Sequence, residues 1–236
     1  MAKWRMLTVW ALLLAMLWGT GAQPVVPADG TAEVPETKYV ALTFDDGPRP
    51  STTGRLLDGL RERGASATFF LIGSSAAAHP ELVQRMAAEG HQVGNHTWSH
   101  ADLRKGGLEA ALEEVRRTER FLGQLLGEGD HWLRPPYGFL TEELKSHLSV
   151  PVVTWSVDPR DWESRDTEKV IQLVLRDTRP GSIILLHDIY DTSVEAALQI
   201  VDALHAEGYR FVTVEELLLL TGVEPKAGTR YRSADL

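Results

Sequence analysis

The chain has 236 residues, 43% of them hydrophobic, no cysteine and a net charge of −9 at pH 7. That length, without internal repeats or a low-complexity tract, suits one large α/β domain with a substantial core and argues against a second domain. The acidic balance, with no run of Lys or Arg interleaved with aromatics, argues against nucleic acid as a partner and against a membrane-surface helix, whereas a neutral substrate is compatible with it.

The N-terminus reads as a secretory leader. Lys3 and Arg5 form a positive n-region, residues 6–18 an apolar h-region, and Thr20-Gly21-Ala22 a small-residue cleavage site. Residues 1–22 are therefore expected to be a signal peptide cleaved after Ala22, which would take the net charge to −11. An uncleaved membrane anchor is the alternative, although a spanning helix needs about 20 apolar residues and this run is shorter. Either way the domain is expected outside the cytoplasm, secreted or at the cell wall or surface, as a monomer that meets a membrane only through an uncleaved leader. Residues 23–37, rich in Pro, Ala, Gly and Glu, read as a linker.

From Lys38 onward short β-rich runs alternate with helical patterns, the sign of βα units and a parallel sheet. The runs predict strands over 39–44, 67–72, 91–94, 131–133, 151–157, 182–186 and 210–213. Apolar residues at helical spacing predict helices over 51–63, 80–89, 108–126, 167–177, 194–207 and 214–220, with Gly64, Gly90 and Gly208 as C-caps. The tail, 223–236, reads as disordered.

Nearly all the polar clusters fall just past a predicted strand. Asp45 and Asp46 follow the first, His96 the third, Arg134 the fourth, Asp158 and Asp161 the fifth and His187 the sixth. In a closed parallel barrel those strand ends converge on one face, where barrel enzymes place their active sites.

Each cluster also has a plain reading. Asp45-Asp46-Gly47-Pro48 is good turn chemistry after any strand; equally, the Gly-Pro bend would let two adjacent carboxylates, which alternate faces in a strand, both reach the cavity. His96 and His100, four apart, would share a helical face about 5–6 Å from one another, within reach of one cation. Asp46, His96 and His100 then offer one carboxylate and two imidazoles, a three-ligand set with positions left open, as in catalytic zinc-type sites. Arg134-Pro135-Pro136-Tyr137 reads as rigid scaffolding or as a structural turn. Asp158-Pro159-Arg160-Asp161-Trp162 reads alone as a solvated loop. His187, ending an apolar run, is a core histidine or a proton donor if a carboxylate keeps it charged. His79, His91, His131, His147 and His205 lack such partners in sequence and read as surface or linker positions.

Taken together and in order, five motifs resemble the polysaccharide deacetylase family, also called carbohydrate esterase family 4. They are Thr43-Phe44-Asp45-Asp46-Gly47-Pro48, His96-Thr97-Trp98-Ser99-His100, Arg134-Pro135-Pro136-Tyr137, Asp158-Pro159-Arg160-Asp161-Trp162 and Leu185-Leu186-His187, within a resemblance covering residues 38–220. The resemblance implies a distorted, incomplete (β/α) barrel, of about seven parallel strands by the count above, with the catalytic domain at 38–222. It also implies a divalent metal on Asp46, His96 and His100, with zinc the default and cobalt, nickel or iron suited to the same ligands.

Carried over, Asp45 is the general base, steadied by Arg134; Tyr137 gives a backbone amide to the oxyanion and a contact to substrate; Asp161 holds His187 protonated as general acid; Trp162 and Leu185 line the acetyl pocket. Among Trp98, Trp132, Trp155 and Trp162, only Trp162 is expected to touch ligand. The implied reaction is N-deacetylation of GlcNAc-containing glycans, peptidoglycan or chitooligosaccharide. An O-acetyl esterase on xylan would use the same residues, and a non-catalytic carbohydrate-binding module is the alternative of another class.

Overall fold

The structure, a computed structural model, describes residues 37–127 and 129–234; the leader, its cleavage site and the linker as far as residue 36 lie outside them. Strands covered on both faces of a parallel sheet are apolar nearly throughout, and β1 (Lys38–Asp45), with Val40 to Asp45 all buried, shows that pattern. After it come α1 (Thr53–Glu62), β2 (Thr68–Leu71), α2 (Gly73–Ala78), α3 (Pro80–Ala88), β3 (Gln92–Asn95) and α4 (Gly107–Leu126). A single 3-10 turn over Pro136–Gly138 precedes α5 (Glu142–Lys145), β4 (Val152–Val153), α6 (Asp161–Ser164) and α7 (Thr167–Asp177). The chain closes with β5 (Ile183–His187), α8 (Asp191–Ala206), β6 (Tyr209–Phe211), α9 (Val214–Leu220) and β7 (Arg230–Tyr231).

β1 is the centre of the sheet. It pairs in parallel with β2, with β5 and, through its first residues, with β6, while β3 extends the sheet beyond β2. From β3 onward the ring continues only by isolated parallel bridges, Asn95 to Leu133, Leu133 to Val152 and Val157 to Ile184. The barrel is thus distorted and incomplete, and the strands expected at 131–133 and 151–157 survive as one bridging residue and a two-residue strand. Prolines at 135, 136 and 151 remove ladder donors beside these segments, which shortens pairing.

The core lies between sheet and helices. Phe44 and Phe69 stack at 5.2 Å between ring centroids and are fully buried, each worth about 1.5–3 kcal/mol of transfer free energy. α4 buries Ala111, Leu112, Val115, Thr118 and Leu122, one stripe at helical spacing. Gly64, Gly90 and Gly208 sit at positive φ just beyond α1, α3 and α8, as expected of C-caps. No helix among the described residues is long and apolar enough to cross a membrane.

Three expectations are corrected. The tail is ordered as far as Ala234: β7 pairs in parallel with β4, Ser233 bridges Ser182, and Ala234 is buried. With few apolar residues of its own, it is held by backbone pairing that composition does not reveal, so the domain runs past residue 222. His91 and His131 are buried rather than on the surface; His91 Nδ1 accepts from the Ala67 amide at 3.1 Å and His131 pairs with Glu119 at 2.8 Å. The run from His96 to His100 is a loop, not a helix, with Thr97 and His100 both at positive φ.

Candidate active site and metal centre

β1 and β5 pair in register so that Asp45 lies opposite His187, each the last residue of its strand. A strand would send the next side chain to the other face. Asp46 instead adopts φ 75, a left-handed turn that brings its carboxylate onto the same cleft as Asp45. Gly47 follows because a Cβ there would collide with the Asp188 carboxylate.

Behind Asp45 stands Arg134, fully buried. Its Nη1 donates to Asp45 Oδ1 and to Thr43 Oγ1, both at 2.8 Å, its Nη2 donates to the Thr154 carbonyl at 3.0 Å, and its guanidinium lies 4.1 Å from the Phe70 ring. A buried guanidinium is costly unless paired, and here four groups engage it.

His96 Nε2 lies 3.5 Å, and His100 Nε2 3.4 Å, from Asp46 Oδ1. That oxygen is buried without a hydrogen-bond partner among the described residues. Ligand atoms roughly 2.0–2.2 Å from a tetrahedral ion stand about 3.4 Å from each other, so the spacing fits three ligands of one metal better than three hydrogen-bonding groups. His96 Nδ1 lies 2.7 Å from the Arg134 carbonyl, which fixes the proton there and leaves Nε2 free to ligate.

In the chain without metal, burial opposes charging of Asp46, but the adjacent imidazoles, His96 foremost, outweigh it and hold the carboxyl below its ordinary value. At 3.5 Å the His96 contact acts as charge attraction rather than as a formed hydrogen bond. Burial likewise opposes charging of His96, yet Asp45 and Asp46 raise it; burial and the neighbouring His96 lower His100.

Across the cleft His187 Nδ1 lies 2.8 Å from Asp161 Oδ1. Burial works against its charge, but the Asp161 contact and carboxylate outweigh burial and push His187 up to about 9. Asp161 is itself fully buried at the start of α6.

These groups open onto a cleft of about 620 Å³ that also contains Tyr137, Phe139, Trp155, Trp162, Leu185 and Tyr190. Tyr137 is in the left-handed region (φ 61) and packs its ring edge-on to His100, centroids 4.9 Å apart. All ten residues singled out from sequence therefore gather at one place, eight on the cleft and Arg134 and Asp161 directly behind it. Trp155, not expected to touch ligand, lines the cleft as well.

Sequence reasoning did not reach the groups that hold the histidine loop. Glu114 on α4 accepts from the Trp98 amide (3.0 Å), the Ser99 amide (2.8 Å) and the Ser99 hydroxyl (2.9 Å), while Asn95 bridges the Thr97 amide and the Val115 carbonyl. It also missed Asp188, which the Thr53 hydroxyl bonds and which burial pushes up to about 7.

A family model described as polysaccharide deacetylase matches residues 32–150. The peptidoglycan-N-acetylmuramic acid deacetylase PdaC of Bacillus subtilis is 41% identical over 81% of this chain and 41% of its own length, and its solved structure superimposes with a TM-score of 0.78 at 40% identity, covering 80% of this chain and 93% of that one. This chain thus spans about two fifths of that relative. A chitooligosaccharide deacetylase of Sinorhizobium fredii is 37% identical over 78% of this chain and 92% of the relative. A family 4 acetyl xylan esterase from Clostridium thermocellum, solved with a cobalt ion, superimposes with a TM-score of 0.79 at 32% identity, covering 84% of this chain and all of that one.

Proposed function

The chain belongs to the polysaccharide deacetylase family, and from that premise we propose that it hydrolyses the N-acetyl amide of GlcNAc-containing glycans, peptidoglycan or chitooligosaccharide, outside the cytoplasm. One observation carries the reading: three ligand atoms at metal spacing, an arginine-held carboxylate and a carboxylate-held imidazole face one another across a single cleft. The extracytoplasmic site is supported by the peptidoglycan substrates that relatives are named for.

Asp46, His96 and His100 are the residues that hold a divalent ion, zinc by default. Such an ion, when bound, supplies Lewis acidity toward a water and toward the acetyl carbonyl oxygen. Asp45 accepts the proton of the attacking water, and Arg134 keeps that carboxylate aimed. The Tyr137 amide donates to the carbonyl oxygen as negative charge develops there. His187 gives its Nε2 proton to the departing nitrogen, a step typically contributing roughly 10²–10⁴-fold. Acetate and a free amine leave. Trp162 and Leu185 bound the acetyl group.

The esterase alternative has the acetyl xylan esterase neighbour in its favour. An amine is the poorer leaving group and needs protonation before it departs, so an imidazole kept charged up to about 9 suits an amide more than an ester. Retention of every acid, base and ligand residue weighs against a purely carbohydrate-binding module. Acetate release by the metal-loaded protein from chitooligosaccharides, peptidoglycan and acetylxylan tests the reading. Release from the first two supports it; release from acetylxylan alone transfers the chain to the esterase alternative.

A further inference from the structure

The His187 side of the cleft carries positive charge that the reaction does not use. Arg49 donates its Nη1 to the Ile189 carbonyl at 2.9 Å. Arg165 donates its Nε to the Trp162 carbonyl at 2.6 Å and stacks its guanidinium on Tyr190, 3.2 Å from the ring centroid. Both side chains are exposed, and neither has an acidic partner among the described residues, whereas nearby Arg55 and Arg160 are ion-paired with Asp191 and Glu163.

Arg49 and Arg165 line one recess of about 230 Å³ together with Ile189, Tyr190, Asp191 and Thr192. The Asp191 carboxylate in that wall is held by Arg55 at 2.6 Å. Tyr190 is shared between the recess and the catalytic cleft, and Arg49 also borders a second recess that reaches Asp46 and His100. Arg165 occupies a left-handed position (φ 50) at the end of α6, where glycine would be the easier residue. In a chain of net charge −9, two unpaired guanidiniums thus converge beside the reacting centre.

We propose that Arg49 and Arg165 form an anion subsite that takes a carboxylate carried on the substrate glycan, so that the enzyme prefers an N-acetylated sugar bearing an acid, as in the lactyl ether of N-acetylmuramic acid, over a neutral chain. The inference rests on the deacetylase reading and narrows its substrate. A guanidinium offers a planar fork of donors that matches a carboxylate, and the stacking on Tyr190 holds one fork against the cleft. The anion and the acetamido group must then belong to one ligand, which a carboxylate on the sugar ring itself provides.

The test compares three ligands of the zinc-loaded protein: a GlcNAc–MurNAc disaccharide, the same disaccharide with its carboxyl as a methyl ester, and N,N′-diacetylchitobiose. Acetate release gives kcat/KM and calorimetry gives affinity, in the parent and in the Arg49→Gln/Arg165→Gln double variant. The parent is expected to favour the free acid over its ester about tenfold, the size of one charge-assisted contact, with the preference shrinking as salt is raised. The double variant should bring the ratio close to one. Equal handling of acid and ester by the parent, or a preference that survives in the double variant, overturns the subsite. Preferential binding without acetate release from any ligand would uphold the subsite and refute the deacetylase reading; release without preference would do the reverse.

Discussion

Asp161 fixes His187 at two points: Oδ1 lies 2.8 Å from the ring Nδ1 and Oδ2 accepts the His187 backbone amide at 2.8 Å. The Ser193 hydroxyl donates to Oδ2 at 2.6 Å, so the carboxylate is itself immobilised. One buried acid thereby sets the orientation and the charge of the imidazole.

A pH dependence follows from this pairing. His187 is pushed up to about 9, above its ordinary 6.5, so it carries its proton at neutral pH and loses it as pH rises through the folded value. The alkaline limb of kcat is expected there, moved to lower pH by the charge of a bound divalent ion. With Asp161→Asn the largest opponent of burial is gone and only the weaker pull of Asp45 and Asp46 remains, so the limb should shift acidward and kcat at pH 8 should fall roughly 10²-fold. A pH–rate profile checks this; an unchanged alkaline limb in the variant would remove His187 from the role of acid.

Arg134 is the largest fully buried side chain among the described residues, and Asp45 is 3% exposed. Removing one member of a buried ion pair typically costs about 3–5 kcal/mol because the other charge is stranded. Arg134→Ala should therefore lower unfolding free energy by about that amount, read from urea denaturation. Asp45→Asn should cost less, since the amide oxygen still accepts from the guanidinium. Equal losses in the two variants would contradict the asymmetry.

Glu114 touches no ligand atom, yet it receives two amides and a hydroxyl of the histidine loop. Supports of this kind typically contribute about 10–100-fold in metal affinity. Glu114→Gln should weaken zinc binding by about tenfold while leaving the unfolding midpoint of the metal-free chain little changed. Zinc affinity measured by chelator competition decides it, and parent-like affinity would reduce Glu114 to a surface residue.

How far sequence reached depends on whether the chemistry is contiguous. Asp45-Asp46-Gly47-Pro48 and Leu186-His187 were legible because strand, turn and reactive residue are neighbours in the chain, and strand ends in a parallel barrel share a face. His96 and His100 were found as a pair but for an incomplete reason. Helical spacing would bring them together, and so does a loop with positive φ at Thr97 and His100, which a non-glycine sequence does not announce. Glu114 stayed hidden as one of several acids on an amphipathic helix, its partners 15 and 16 positions away. β7 was missed because its order derives from β4 rather than from its own residues.

The central claim is a metal-dependent hydrolase in which Asp46, His96 and His100 hold the ion and Asp45 is the base. The most direct measurement is acetate release from an N-acetylated glycan by the parent and by Asp45→Asn, each stripped with a chelator and then reloaded with zinc, with bound zinc quantified alongside. The parent should fall silent when stripped and recover on reloading, while Asp45→Asn should bind zinc and remain silent. Acetate release that persists without metal, or a zinc-loaded Asp45→Asn that turns over like the parent, would contradict it.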